Sequence, residues 1–318
     1  MINFNKIRTY SLKARASRVK SYDFAKFPLP NQRFLRFYNS LPNILKAQDL
    51  HNVVDSIVKA RKKGKPVIFM AGAHIIKCGL SPVVIALIKR GVITCISLNG
   101  AGVIHDFEIA YQGETSEDVA ASLNKGRFGM NRETAQFLNR AIAEGVDKGL
   151  GIGQAVGEAM IRQKFPFRNL SIICQAVKSR IPTTVHIAIG TDVIHQHRNF
   201  NAGLTAEGSW RDFQILVEVV SRLGQGGVLL NFGSAVILPE VFLKALNLAR
   251  NLGTDVKNFT TANFDMIYHY RPGENIVRRP VLSGGRGYYI VGHHEIMLPL
   301  LAQAVIDKIG KSSFAYHR

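Results

Sequence analysis

From about residue 66 to the C-terminus, short runs rich in apolar and β-branched residues alternate with longer stretches of helical period. The runs at 67–70, 93–98, 183–189, 228–232, 259–264 and 288–291 have the length and composition of strands. Most carry too few polar positions to alternate, as expected of strands covered on both faces. Helices are predicted at 80–89, 132–148, 210–223, 239–252 and 295–309. Pro239 suits a first helical turn, and Gly253 suits the position just past a helix end. This alternation predicts an α/β fold, a parallel sheet with helices on both faces. A helical insert, about 116–179, separates the second strand from the third. The stretch Gly149-Leu150-Gly151-Ile152-Gly153 has the glycine spacing of a dinucleotide loop, but it follows a helix and not a strand. It therefore reads as a helix–helix turn.

The residues that follow each strand carry the functional signal. They are Gly72-Ala73-His74, Gly100-Ala101-Gly102, Gly190-Thr191-Asp192, Gly233-Ser234-Ala235 and Gly292-His293-His294-Glu295, while Thr260-Thr261-Ala262-Asn263 closes the fifth strand. In an open parallel sheet ligands bind outside the carboxyl ends of the strands, where small residues let phosphates approach backbone N–H groups. Repeated at one edge, such turns point to an extended, nucleotide-sized ligand.

Composition narrows the class. With 318 residues, 47% hydrophobic and 20% charged, the chain can bury a full core, and disorder is excluded. No apolar run is long enough to span a bilayer, and the start lacks a secretory h-region. Cys78, Cys95 and Cys174 have no pairing or ligand spacing, so reduced thiols and a cytoplasmic location are expected. The net charge of +19 is uneven, for residues 1–66 hold 15 Lys+Arg against 3 Asp+Glu. Residues 1–65 read as a basic, mainly helical arm, and 66–318 as the main domain. Phe24, Phe27, Phe34, Phe37, Leu41 and Leu45 favour packing of that arm over nucleic-acid binding.

Three groups of side chains are chemical candidates. His195 and His197 could share a metal if Asp192, His293, His294 or Glu295 supplied a third ligand, but polar pocket histidines are the preferred reading. Asp106, Glu108, Glu114, Asp192, Asp265 and Glu295 fall near the pocket edge, where they would favour a cationic substrate. Asp106 and Asp192 would equally serve as helix caps. Lys77 and Lys244 lie close enough to the edge to be considered as imine-forming lysines.

Several stretches are similar to the deoxyhypusine synthases, most of all to the bacterial deoxyhypusine synthase-like proteins. They are 70–79 (MAGAHIIKCG), 99–114 (NGAGVIHDFEIAYQGE), 190–197 (GTDVIHQH), 233–250, 261–272 (TANFDMIYHYRP) and 292–301 (GHHEIMLPLL). The resemblance implies a Rossmann-like, NAD-binding fold assembled as a homotetramer with sites at dimer interfaces. It implies that Gly72, Ala73, His74, Gly100, Ala101, Gly102, Gly190, Asp192, Thr261, Ala262 and Asp265 hold NAD. His197 matches the family's active-site histidine, and Asp106 and Glu114 keep acids in the second loop.

The chain departs from that family at its chemistry. The family's imine-forming lysine is Leu238 here, and an acid near the last strand is replaced by His293, with Glu295 beside it. The resemblance thus implies an NAD-dependent aminobutyl-type transferase acting on a polyamine or related amine by direct transfer to a small amine. His197, Asp106, Glu295 and His293 are its candidate catalytic residues, and Asp106, Asp265 and Glu295 would hold ammonium groups. A non-catalytic NAD-binding scaffold and a nucleic-acid-associated factor are the alternatives. No metal is expected.

Overall fold

A computed structural model describes residues 33–310. Six parallel strands form one sheet: β1 (Val67–Ala71), β2 (Cys95–Asn99), β3 (Thr183–His186), β4 (Val228–Phe232), β5 (Phe259–Asp265) and β6 (Gly285–Val291). Their order is β3-β2-β1-β4-β5-β6. Alternate side chains of each strand enter two separate apolar layers. Val67, Phe69 and Ala71 pack with one set of helices, while Ile68 and Met70 pack with the other.

The helices are α1 (Phe34–Tyr38), α2 (Leu45–Lys62), α3 (His74–Lys77), α4 (Ser81–Lys89), α5 (Gly100–Gln112), α6 (Val119–Leu123), α7 (Arg132–Val146), α8 (Ile152–Gln163), α9 (Ile172–Lys178), α10 (Ala202–Ser221), α11 (Ile237–Asn251), α12 (Tyr270–Pro272) and α13 (His294–Ile309). Helices α10 and α11 supply the second layer, and the core of most others lies in the first. The part of the basic arm within the described residues belongs to the first layer: Tyr38, Val53, Val54 and Ile57 are buried in it. Lys308 of α13 bonds Asp55 of α2 at 2.7 Å, and its Nζ lies 5.5 Å from the centroid of the Tyr38 ring. Residues 1–32, with Phe24 and Phe27, lie outside the described residues.

Between β1 and β4 the strand order reverses, and the chains leaving these strands pass to opposite faces. Their backbones touch just beyond the sheet. The Gly72 N–H bonds the Phe232 carbonyl at 3.0 Å, and a Cβ on Gly72 would stand 2.4 Å from the Gly233 carbonyl oxygen. Gly233 has φ +63°, and its own Cβ would lie 2.8 Å from His294 Nε2. Only glycine satisfies both positions.

Helix α10 carries the chain from the sheet's outer edge back to its centre, and its Asp212 ties three elements together. This fully buried carboxylate accepts the Gly153 N–H at the start of α8 (2.9 Å) and the Val185 N–H of β3 (2.8 Å). Burial nevertheless pushes its pKa up to about 8, far above the ordinary 3.8. A raised pKa in the folded state contributes stability that is fully present below the unfolded value and is lost as pH rises through the folded one. Denaturant titrations should therefore show wild-type stability falling between about pH 4 and pH 8. Asp212→Asn should flatten that slope, with the variant gaining on the wild type as pH rises; parallel curves would contradict the assignment.

Candidate functional site

A cavity of about 700 Å³ opens at the carboxyl edge of the sheet beside α5. The hydrophobic pattern predicts no helix after Gly100-Ala101-Gly102, but residues 100–112 form one that begins directly at the end of β2. Asn99 caps it by accepting the Gly102 N–H at 2.9 Å. Ala101, Ile104, His105, Glu108 and Gln112 recur at helical spacing and line the cavity. The opposite wall comes from α7 and the loop before it, with Asn131, Glu133 and Thr134, and from Thr191 and Asp192 after β3.

Charge distinguishes this cavity. In a chain of net charge +19, it is lined by Glu108, Glu114, Glu117, Glu133 and Asp192, with Lys77 the one lysine or arginine among them. Some of these acids are already engaged. Glu108 accepts Thr115 Oγ1–H (2.5 Å) and Thr134 Oγ1–H (3.3 Å), and Glu117 accepts the Gly129 N–H at 2.7 Å. Asp192 is not satisfied in this way. Its Oδ2 is buried without a hydrogen-bond partner and packs against Gly100, where a Cβ would be 1.8 Å away. Burial pushes its pKa up to about 6. His195 Nδ1 accepts the Gly190 and Asp192 N–H groups (3.1 and 3.2 Å), so its hydrogen lies on Nε2. That Nε2–H is buried, unpartnered and 3.8 Å from Asp192 Oδ2.

A second set of groups stands at the reversal point. His294, the first residue of α13, is buried over Gly233 with its Nδ1 unpartnered, and its ring centroid is 5.7 Å from that of His74. Burial lowers its pKa, the neighbouring His74 adds to this, and Asp265 opposes it. Asp265 ends β5, with its Oδ1 accepting the Met266 N–H.

The residues expected from sequence divide accordingly. Gly72, Ala73, His74, Gly100, Ala101, Gly102, Gly190, Asp192 and Asp265 do lie at or next to the carboxyl edge. Thr261 and Ala262 do not, because β5 continues to Asp265 and leaves both fully buried inside the sheet. Asp106 points away from the cavity. Fully buried, it accepts Ser171 Oγ–H and the Ile172 and Ile173 N–H groups at 2.5, 2.7 and 3.2 Å, and so caps α9. His197 does not line the cavity, and its Nε2 lies 2.9 Å from the Gly129 carbonyl. His293 and Glu295 sit 3.6 Å apart on the exposed first turn of α13, also outside the acidic cavity. The four catalytic candidates therefore do not converge on one cavity. Lys244 pairs with Glu240 beside a separate, mainly apolar groove of about 500 Å³. Leu238 is fully buried against the second layer. Among the described residues no His, Cys, Asp and Glu cluster is arranged to hold a metal ion.

Neither a family model nor a curated protein matches the sequence. Solved structures do match the fold. AgrE, in a ternary complex with ornithine and NAD+, is similar with a TM-score of 0.53 at 16% identity over 82% of this chain and 33% of its own. A candidate deoxyhypusine synthase from Entamoeba histolytica is similar with a TM-score of 0.50 at 11% identity over 90% of this chain and 97% of its own. The likeness is one of fold. With the strand order it makes the protein an α/β chain of Rossmann-like architecture whose structural neighbours are enzymes. The chain spans about a third of the length of AgrE. No helix among the described residues is long and apolar enough to cross a membrane.

If Asp106 is a cap, Asp106→Ala leaves three buried donors without an acceptor. Urea denaturation should show a loss of about 3 kcal/mol. Ligand affinity of the folded fraction should be unchanged; a selective loss of affinity at wild-type stability would return Asp106 to the site.

Proposed function

We propose that the protein is an NAD-dependent transferase acting on a polyamine or related amine. One observation carries the reading: five carboxylates line a cavity beside the nucleotide edge of a strongly basic protein. Anions concentrated in a cleft select cations, and an amine with two or more ammonium groups matches spaced carboxylates.

The cofactor assignment is supported by unsatisfied atoms along the same edge. NAD-binding folds of this strand order place an acid at the end of β2 to accept ribose hydroxyl hydrogens. Here the loop after β3 delivers Asp192 to that place, its Oδ2 buried and free, with the His195 Nε2–H nearby. The first-turn N–H groups of Gly100 and Ala101 have no partner inside α5 and suit an anionic or polar group of the ligand. His294 Nδ1 offers a further buried contact at the reversal point. That one similar structure was solved with NAD+ and an amino acid carrying a side-chain amine agrees with both halves of the reading. When bound, NAD supplies the hydride acceptor for the carbon that bears the amine.

The chain's own groups would do the rest. Glu114 and Glu133 hold ammonium groups, and the cavity walls position the carbon to be oxidised. The buried Leu238 offers no nucleophile at the turn after β4. An incoming amine must therefore displace the outgoing one directly. Exposed Trp210, Ile267, Tyr268 and Tyr270 suit burial against another copy of the chain, in line with the homotetramer that the resemblance implies.

Thermal-shift titration tests this directly. NAD should raise Tm, and one of spermidine, putrescine or agmatine should raise it further; saturation at 100 times Kd corresponds to about 2.7 kcal/mol. Asp192→Ala should weaken NAD about tenfold. The double variant Glu114→Gln, Glu133→Gln should weaken the amine about tenfold and leave NAD unchanged. No shift with NAD would overturn the cofactor, and an amine affinity indifferent to the Gln variants would overturn the cavity assignment.

A further inference from the structure

His105 stands 19% exposed on the cavity face of α5, three residues before Glu108, which is 14% exposed. Gly113 ends the helix in a left-handed turn (φ +81°), which brings Thr115 back alongside both side chains. Thr115 Oγ1 lies 2.5 Å from Glu108 Oε2 and 2.6 Å from His105 Nδ1. The hydroxyl has one hydrogen, and an ionised carboxylate only accepts, so that hydrogen goes to Glu108. Thr115 Oγ1 must then accept from His105, which fixes the imidazole hydrogen on Nδ1. The ring's hydrogen bond is made through Nδ1, which leaves the Nε2 lone pair free on a residue that lines the cavity.

We propose that His105 is the proton acceptor for the bound amine, with Thr115 and Glu108 as the positioning residues that hold it in that tautomer. The inference rests on the amine reading of the cavity. An ammonium carbon cannot give up hydride to form a C=N bond until its nitrogen has a free lone pair. In the step assigned to His105, the N–H bond of the ammonium breaks and its proton joins Nε2. The amine becomes neutral and His105 becomes imidazolium; no electrons change hands. The new positive charge forms where Glu108 faces it through one hydroxyl. The other charged groups lining the cavity around the ring are Lys77 of α3, Glu114 and Glu117 of the following loop, Glu133 of α7 and Asp192 after β3. Burial and Lys77 lower the pKa of free His105, while Glu108 opposes them, so the ring is neutral and able to accept at neutral pH. This arrangement also separates His105 from His195, whose Nδ1 is an acceptor and whose Nε2 bears the hydrogen.

Two-bond ¹H–¹⁵N spectra of the full chain labelled with ¹⁵N-histidine read the tautomer directly. His105→Gln assigns the signal, with His105→Asn as the second choice should the first fail to fold. In free protein at pH 7.5 Nε2 should carry no hydrogen. Saturation with whichever of putrescine, spermidine or agmatine raises Tm should keep that tautomer and shift the Nε2 signal as its lone pair accepts the ammonium N–H. Thr115→Val should mix the tautomers, and Glu108→Gln should move the His105 titration to lower pH, shifts that a merely structural contact would not produce. An Nε2–H tautomer in the free protein, or an Nε2 signal indifferent to a bound amine, would overturn the role of His105 and leave the amine site standing. Failure of all three amines to bind would overturn the amine site itself, and with it the source of the proton.

Discussion

The contact between Gly72 and Gly233 is the constraint on which the site depends. Strands β1 and β4 lie side by side, yet the chains leaving them diverge to opposite faces of the sheet. Two backbones can separate at that point only if nothing fills the space where they part. A side chain on either residue would wedge the strands apart or displace His294. To one side of this pair is the α5 side, where β2 ends and the loop after β3 arrives. The acidic cavity lies there, beside the reversal point and not on it.

The same economy governs the buried acids. Asp106 and Asp212 are both fully enclosed and both accept N–H groups at the start of a helix, Asp212 adding a donor from β3. Asp192 is enclosed in the same way but retains an oxygen with no partner. Asp106 accepts on both oxygens, whereas Asp212, like Asp192, keeps one oxygen without a partner. What sets Asp192 apart is its place, on the lining of the acidic cavity, where Asp106 and Asp212 do not reach.

Much of the architecture was legible in the hydrophobic pattern. All six strands were found, as was the helix–helix turn at Gly149, because long apolar runs admit few alternatives. The errors arose where polar chemistry decides the outcome. Strand β3 stops at His186 and leaves Ile189 half-exposed in a loop, although the apolar run continues to it. Helix α10 starts at Ala202 because Asn201 accepts the Leu204 N–H, a cap hidden in a polar stretch. The site was harder to read. Asp106 and Glu108 are two positions apart, and only the phase of a helix that the pattern did not reveal decides which one faces the cavity. Thr115 gains its significance from a single left-handed turn at Gly113, and its partner His105 went unremarked. Both pieces of information are three-dimensional.

One wall of the cavity differs in kind from the others. Helix α6 buries no residue, and nearly every side chain from Ser116 to Arg127 is half-buried or exposed. A segment with so little apolar burial sits at the low end of the range of local opening free energies, far below that of the sheet. Hydrogen exchange there is governed by its own small unfolding equilibrium and not by that of the domain. The cavity thus joins a rigid side, where α5 is anchored to β2, to a side that can be remade around ligands of different length without disturbing the core.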